Sequence, residues 1–392
     1  MKKSRKLEQH IAVFGESGSG KTVLLSSFYG AAQEPHNIKK HGFNVLAENP
    51  SQGTHLSQNY LGMKQSATLP ETNRFSAKSY SFLVKVKHRA QAKAAKQAGA
   101  DALRVVWHDY PGEWFERDVS GPEEAQRRID TFGDLLQSDV AFLMVDGQRL
   151  LDNVGEEERY LKSLFTNYCN ALLLMRDDLL DNGKPLVTFP RIWILALSKS
   201  DLVPDMDVYE FRDLLLGKAG ADMEKLRDVL ATMVESNRAL SVGEDFVIFS
   251  SAKFEANKIE VSKRVGLDLV LPLASVFAFE RQLRWVQAGH IGRKVALKLL
   301  ENAEVVSFGL GILGGGIAKL IGSKNKAAAV AGFLLAQAGP ALAEYAKNLE
   351  KKVADLDAQG IAKQEDLTAV LTKFRADLYK AEEERIFLRS LL

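Results

Sequence analysis

His10-Ile11-Ala12-Val13-Phe14 runs straight into Gly15-Glu16-Ser17-Gly18-Ser19-Gly20-Lys21-Thr22, and Val23–Gly30 (VLLSSFYG) follows without a break. The first five residues have the makeup of a buried strand, and the last eight have the apolar spacing of a helix. Between them stands a complete G-x-x-x-x-G-K-T. In that context the glycines let backbone N–H groups turn inward around phosphate oxygens, and the start of the next helix adds a partial positive charge. Lys21 would reach the β- and γ-phosphates, and the Thr22 hydroxyl would ligate Mg²⁺. Gly15, Glu16, Ser17, Gly18, Ser19, Gly20, Lys21 and Thr22 are therefore the first candidate nucleotide-binding residues. A purely structural strand-to-helix turn would need neither the lysine nor the threonine in register.

Outward from this turn, short β-branched or aromatic runs alternate with longer helical patterns as far as about residue 280. His10–Phe14, Tyr80–Lys87, Leu103–Asp109, Val140–Asp146, Ile192–Ser198 and Phe246–Ser250 read as strands. Gly20–Gly30, Glu156–Asp178, Val208–Glu235 and Leu267–Val286 read as helices. The alternation predicts an α/β fold with a mainly parallel six-stranded sheet flanked by helices, over residues 8–290. The second and third strands have only an Ala/Lys-rich stretch between them, which predicts an antiparallel pair.

Three more segments bear on which nucleotide would be bound. Trp107-His108-Asp109-Tyr110-Pro111-Gly112-Glu113 carries a DxxG at the end of an apolar strand. There Asp109 would hold Mg²⁺ through water and the Gly112 N–H would meet a γ-phosphate. Leu195-Ala196-Leu197-Ser198-Lys199-Ser200-Asp201 ends a second strand with SKSD. Asp201 would accept hydrogen bonds from the N1–H and exocyclic amine of guanine, with the Lys199 stem against the base; adenine offers neither donor. Phe249-Ser250-Ser251-Ala252-Lys253 closes the last strand, and Ser251, Ala252 and Lys253 match an SAK loop whose N–H meets the guanine O6.

Four boxes in this order, each at a strand end, resemble a GTPase of the Ras-like, translation-factor-related superclass over roughly residues 8–290. The DYPGEW spelling also resembles, locally, the YcjX-like group of bacterial P-loop proteins. The resemblance implies GTP/GDP and Mg²⁺ as ligands and a nucleotide-dependent switch that hydrolyses GTP, in a bacterial cell. Ser198 departs from the asparagine or threonine usual in the family; its hydroxyl would bond toward the phosphate loop instead. A switch threonine is implied ahead of the second strand, as a further Mg²⁺ ligand. Thr54, Thr68 and Thr72 are available, and Thr72 is favoured because Pro70 keeps its segment extended. Glu113 occupies the position that orients the attacking water. Lys21, Thr72, Gly112 and Glu113 are thus the expected catalytic residues, and Thr22, Thr72 and Asp109 the expected metal ligands. Arg74, Arg104 and Arg117 lie near these segments as candidate cis arginines.

Composition bounds the rest. The 392 residues are 46% hydrophobic and 26% charged, which excludes a disordered or collagen-like chain. Lys plus Arg number 52 against 50 Asp plus Glu, so a net charge of +2 gives no reason to expect a nucleic-acid partner. One cysteine, Cys169, excludes a disulfide within the chain, and the seven histidines show no HxxxH spacing. The basic start, MKKSRKLEQ, precedes too few apolar residues for a signal-peptide core, and a cytoplasmic location is expected.

After about residue 290 the pattern is helical only, and an all-α domain is expected over 291–392. Residues 305–343 hold eight of the 29 glycines and only three charges, as two apolar runs of 14 and 17 residues about a lysine-bearing turn. Each is shorter than a membrane span. A glycine-rich hairpin is expected here, either buried in protein or touching lipid at the inner membrane. The helix beyond it, with Leu367, Val370, Leu371, Phe374 and Leu378 on one stripe, is expected to cover that hairpin. A protein effector, a membrane surface and a second copy of the chain remain alternative partners. An ATPase that keeps only the phosphate loop is the alternative activity.

Overall fold

The computed structural model describes residues 8–70, 78–86, 101–115, 121–180, 182–187, 190–255, 257–290 and 358–390. Strand β1 (Glu8–Phe14) leads into helix α1 (Lys21–Gln33), followed by α2 (Pro35–His41), β2 (Phe43–Ala47) and α3 (Pro50–Ser66). Then come β3 (Lys78–Val86), β4 (Asp101–Asp109), a 3₁₀ turn at Gly112–Phe115, α4 (Pro122–Leu135) and β5 (Val140–Asp146). The short α5 (Gly147–Asp152) precedes α6 (Glu157–Leu179), β6 (Ile192–Ser198), α7 (Val208–Ala231) and β7 (Ser241–Ile248). A small hairpin, β8 (Lys253–Glu255) and β9 (Lys258–Glu260), leads to a helical run with α8 (Val270–Pro272), a π-wound turn at Leu273–Phe277 and α9 (Ala278–Gln287). The described chain resumes with α10 (Ala358–Glu383) and β10 (Phe387–Leu388).

Eight strands form one sheet in the order β10-β7-β6-β5-β1-β4-β3-β2. The five from β7 to β4 are mutually parallel; β3 and β2 continue antiparallel on one side, and β10 lies antiparallel on the other. β5 (VAFLMVD) and β6 (IWILALS) are buried at every residue, as strands covered on both faces must be. Alternate residues divide between two cores. Ile11, Val13, Phe142, Met144, Ile194 and Ala196 face α1, α3, the 267–287 helical run and α10. Phe14, Leu143, Val145, Trp193, Leu195 and Leu197 face α4, α6 and α7. This strict alternation fixes register, since a one-residue slip would exchange the two faces.

The large sheet has two strands beyond the six expected. β2 has only five residues and sits at the sheet edge, where strands run short; Phe43 and Val45 point inward while Leu46 is exposed. β10 has two residues and exists only through its pairing with Val247 and Phe246. β7 also begins earlier than its apolar core, at Ser241. Gly243 at φ 75° and a register shift opposite Trp193 and Ile194 mark a bulge that hides the strand's start in the sequence.

Residues 358–390 do not stand apart from the α/β unit. Val370, Leu371, Phe374 and Leu378 of α10 are buried in the same core as β1 and α1, and Phe374 meets Phe43 edge-on at 5.5 Å between ring centroids. The stripe thus covers the α/β sheet's own helical layer. The expected hairpin at 305–343 lies outside the described residues. Among the described residues, no helix is long and apolar enough to cross a membrane.

A polar cluster occupies the start of β1, at the strand end away from the glycine-rich turn. His10 Nδ1 lies 3.1 Å from His108 Nε2, and the His10 amide donates to Asp139 at 2.7 Å. His10 Nε2 also meets Glu8 at 2.8 Å. Burial raises the Asp139 carboxyl to about 6, whereas burial and then the neighbouring His10 lower His108 to about 4. The two act in opposite senses. Asp139 adds stability at low pH that is lost as pH rises through about 6; His108 adds stability above its ordinary range that is lost as pH falls through about 4. Asp139→Asn loses the Asp139 contribution and keeps that of His108. Its urea midpoint should therefore fall more steeply than wild type between about pH 7 and pH 4.5, by the equivalent of about 2 kcal/mol. Equal slopes for the two proteins would refute the assignment.

Candidate nucleotide site

The boxes converge because parallel strands deliver their C-terminal ends to one edge. β1 ends at the glycine-rich loop, β4 at Asp109, β6 at the SKSD turn and β7 just before the SSAK loop. Gly18 and Gly20 take φ values of 79° and 91°, and an added Cβ at either would meet nothing within 4 Å, so both face open space. The left-handed φ, rather than crowding, requires glycine there. α1 begins with Gly20 as its N-cap, with no side chain capping it and no acid in its first turn. No capping side chain competes there with an anion. Lys21 is buried and donates from Nζ to the carbonyls of Gly15 at 2.6 Å and Glu16 at 3.0 Å. Thr22 is the second residue of the helix. Ser19 is buried and its amide donates to Glu16 O at 3.2 Å, closing the turn.

The DxxG segment is locked to this loop by contacts that the motif itself does not announce. The Gly15 amide donates to the Tyr110 hydroxyl at 2.7 Å, and the Tyr110 ring lies 5.2 Å from Lys21 Nζ. A Cβ on Gly112 would fall 2.5 Å from both Glu16 C and Ser17 N, so only glycine allows the turn to close on the loop. Asp109 is buried at the end of β4, and burial followed by its charge pushes the Tyr80 phenol up to about 12. Glu113 stands half-buried in the 3₁₀ turn after Gly112. Arg128 of α4 donates to Trp114 O at 3.0 Å and pins that turn from outside.

At the base-side loops, Ser200 N–H donates to Phe249 O at 3.0 Å and ties the SKSD turn to the end of β7. Asp201 Oδ1 accepts from the Ser250 hydroxyl at 2.8 Å, and Oδ2 accepts from the Phe254 amide at 3.1 Å. The hydroxyl that engages Asp201 is thus that of Ser250, the residue just ahead of the Ser251-Ala252-Lys253 loop. Ala252 is buried, while Lys253 is exposed and pairs with Glu255 at 3.0 Å in the β8–β9 hairpin. Lys199, in left-handed backbone at φ 54°, pairs with Asp146 at 2.8 Å. Ser198 Oγ lies 3.2 Å from Val145 O on the neighbouring strand, rather than toward the phosphate loop.

Other expectations divide. Arg104 pairs with Glu8 at 2.7 Å and Glu48 at 2.8 Å near the beginning of β4, five residues from Asp109 along the strand. At about 3.3 Å per strand residue it is too far from the site to act there. Thr54 is exposed on α3, and Thr68 bonds locally to Ser66 O at 3.3 Å. Thr72, Arg74 and Arg117 lie outside the described residues. The residue that sequence reading missed is Arg149 of α5, whose Nη1 lies 2.8 Å from Glu16 Oε2 and whose Nη2 donates to Ser17 O at 3.2 Å. Its one sequence signal is its place just after β5, at the same sheet edge.

Among solved structures, a chain described as Methanosarcina barkeri Roco2 RocCORdC bound to GDP is similar at 14% identity, over 65% of this chain and 46% of that one. The present chain thus spans under half of that protein, and the TM-score of 0.22 is too low to place any residue by superposition. No curated protein matches the chain. A family model described as Double-GTPase 2 matches residues 9–242, spanning the phosphate loop, the DxxG turn and the SKSD box, and the chain belongs to that family.

Proposed function

We propose that the protein binds GTP and GDP with Mg²⁺, hydrolyses GTP and uses the two states as a switch. The observation that carries this reading is Asp201. Its carboxylate is held between the Ser250 hydroxyl and the Phe254 amide, on a loop fixed to β7, where it faces the same sheet edge as the phosphate loop. Each carboxylate oxygen has a second lone pair, so the N1–H and amine of guanine find acceptors there. The uncapped α1 start, the open Gly18 and Gly20, and Lys21 suit a polyphosphate. Thr22 and Asp109 suit Mg²⁺, as hard oxygen donors at the same edge; the ion would neutralise charge on the β- and γ-phosphate oxygens. Glu113 would orient the attacking water. Thr72 is kept as a further ligand in this proposal.

The same contacts support a switch. Tyr110 and Gly112 rest directly on the loop that would hold the phosphates, so loss of a γ-phosphate would be felt at the DxxG turn first. Residues after 290, proposed as the helical part, would pass the change to a protein effector, to a second copy or to a membrane surface.

Isothermal titration with GDP and ADP in Mg²⁺ tests the guanine reading. GDP should bind at least about tenfold tighter, a difference of about 1.4 kcal/mol. Asp201→Asn should abolish that preference, because its amide presents a donor where guanine also presents one. Equal GDP and ADP affinities in wild type would leave a phosphate-loop ATPase and overturn the assignment.

A further inference from the structure

Glu16 is a carboxylate placed inside a loop built to receive a polyanion. It is only 4% exposed. Water therefore screens it little, and its charge would repel the phosphates as well as pay for its own desolvation. Its field reaches neighbours: after burial itself, the Glu16 charge is the next cause that holds the Tyr160 phenol above its usual range. The group opposite is Arg149. Its guanidinium forks, one arm on the Glu16 carboxylate at 2.8 Å and the other on the Ser17 carbonyl at 3.2 Å. Both are residues of the loop itself, 133 and 132 positions away in the chain.

The helix that carries Arg149 is itself anchored to the base side. Asp146, its N-cap, accepts from the Gln148 amide at 2.9 Å and pairs with Lys199 of the SKSD turn at 2.8 Å. Gly147 packs so close to that turn that a Cβ would lie 2.6 Å from Ser198 O. The Asp146 amide is held by the Tyr160 hydroxyl at 3.0 Å. α5 is thus a brace between the two halves of the nucleotide site, with Arg149 its arm on the phosphate side.

We propose that Arg149 is a positioning residue for nucleotide binding: it cancels the Glu16 charge and holds the Glu16–Ser17 backbone in the shape that admits the phosphates. The proposal rests on the nucleotide reading above. Its electrostatic part makes a prediction that simple loss of packing does not. Arg149→Ala takes the guanidinium away from the buried Glu16 carboxylate, so GDP affinity falls by at least about tenfold. Removing the offending charge as well, in the double variant Glu16→Gln with Arg149→Ala, restores affinity to within about threefold of Glu16→Gln alone. Arg149→Lys, which keeps the charge but not the fork, falls between.

The experiment is titration of wild type and these four variants with GDP, alongside amide hydrogen exchange of the nucleotide-free proteins. Exchange at Gly18, Ser19 and Gly20 should be faster in Arg149→Ala than in wild type. Wild-type GDP affinity in Arg149→Ala, or a double variant no better than Arg149→Ala, overturns the proposal. If wild type itself takes no GDP, the nucleotide reading fails. The exchange comparison then still decides whether Arg149 orders the loop, and unchanged exchange counts against it.

Discussion

Gly112→Ala should lower GTP turnover by about a hundredfold or more, close to 2.7 kcal/mol in the barrier, while changing GDP affinity by less than about threefold. The cause is a collision that cannot relax cheaply. The added methyl lies 2.5 Å from Glu16 C and Ser17 N and 2.6 Å from Glu16 O, all backbone atoms of the phosphate loop. That loop is itself held by Arg149 and by the Tyr110 hydroxyl on Gly15. The DxxG turn must therefore move away, carrying the Gly112 amide and Glu113 from where a γ-phosphate and its attacking water would be. A diphosphate does not need that approach, so binding and turnover separate. Single-turnover GTP hydrolysis beside GDP titration measures both. Turnover within threefold of wild type would mean that the turn does not close on the loop during hydrolysis.

The largest effect on stability is expected at Arg281. It is 2% exposed on α9 and pairs with Asp245 of β7, which is fully buried. Burial raises the Asp245 carboxyl; Arg281, the Ser390 amide and Ser241 oppose that rise. Arg281→Ala leaves only the 3.1 Å Ser241 hydroxyl and the 3.0 Å Ser390 amide to solvate the charge. The loss should be about 3–5 kcal/mol at neutral pH, because a buried charge loses its partner. Replacing both members, Arg281→Met with Asp245→Leu, should recover most of it, since the fully buried carboxylate is then gone and the partly exposed Glu244, 3.5 Å from Arg281, is the carboxylate that loses a counter-charge. Urea unfolding of the three proteins decides the matter, and a loss below about 1 kcal/mol in Arg281→Ala would refute it. The pair also fixes the C-terminal segment, because Ser390 is bound to the same carboxylate and Arg389 reaches Glu280 at 3.1 Å.

How far the fold is readable from residues alone depends on whether the signal is local. β5 and β6 have the bounds their continuous apolar runs predict, because a strand buried on both faces must be apolar throughout. The β3–β4 pair is antiparallel, as the Ala/Lys-rich stretch between the two strands predicts. The glycine-rich loop is legible for a similar reason: left-handed φ at Gly18 and Gly20 and an uncapped helix start demand particular residues at particular positions. Strand order then places the four boxes together, since parallel strands carry their ends to one edge.

What the residues do not announce is every interaction made between distant segments. β2 and β10 are too short to show a period, and they are strands only because a neighbour supplies hydrogen bonds. The stripe on α10 declares that it needs an apolar partner, but only the packed structure assigns it to Phe43 and the helices over the sheet. Tyr110 looks like an ordinary aromatic inside DYPG until its hydroxyl is found on Gly15. That the Ser250 hydroxyl meets Asp201 is likewise invisible in the residues, since 49 positions separate the two. Arg149 and Glu16 are 133 positions apart, and no spacing rule links them. Local chain stereochemistry writes strands, turns and the phosphate loop into short stretches of residues. The choice of which buried charge meets which counter-charge depends on how the whole sheet brings its loops together, and only the folded chain makes it.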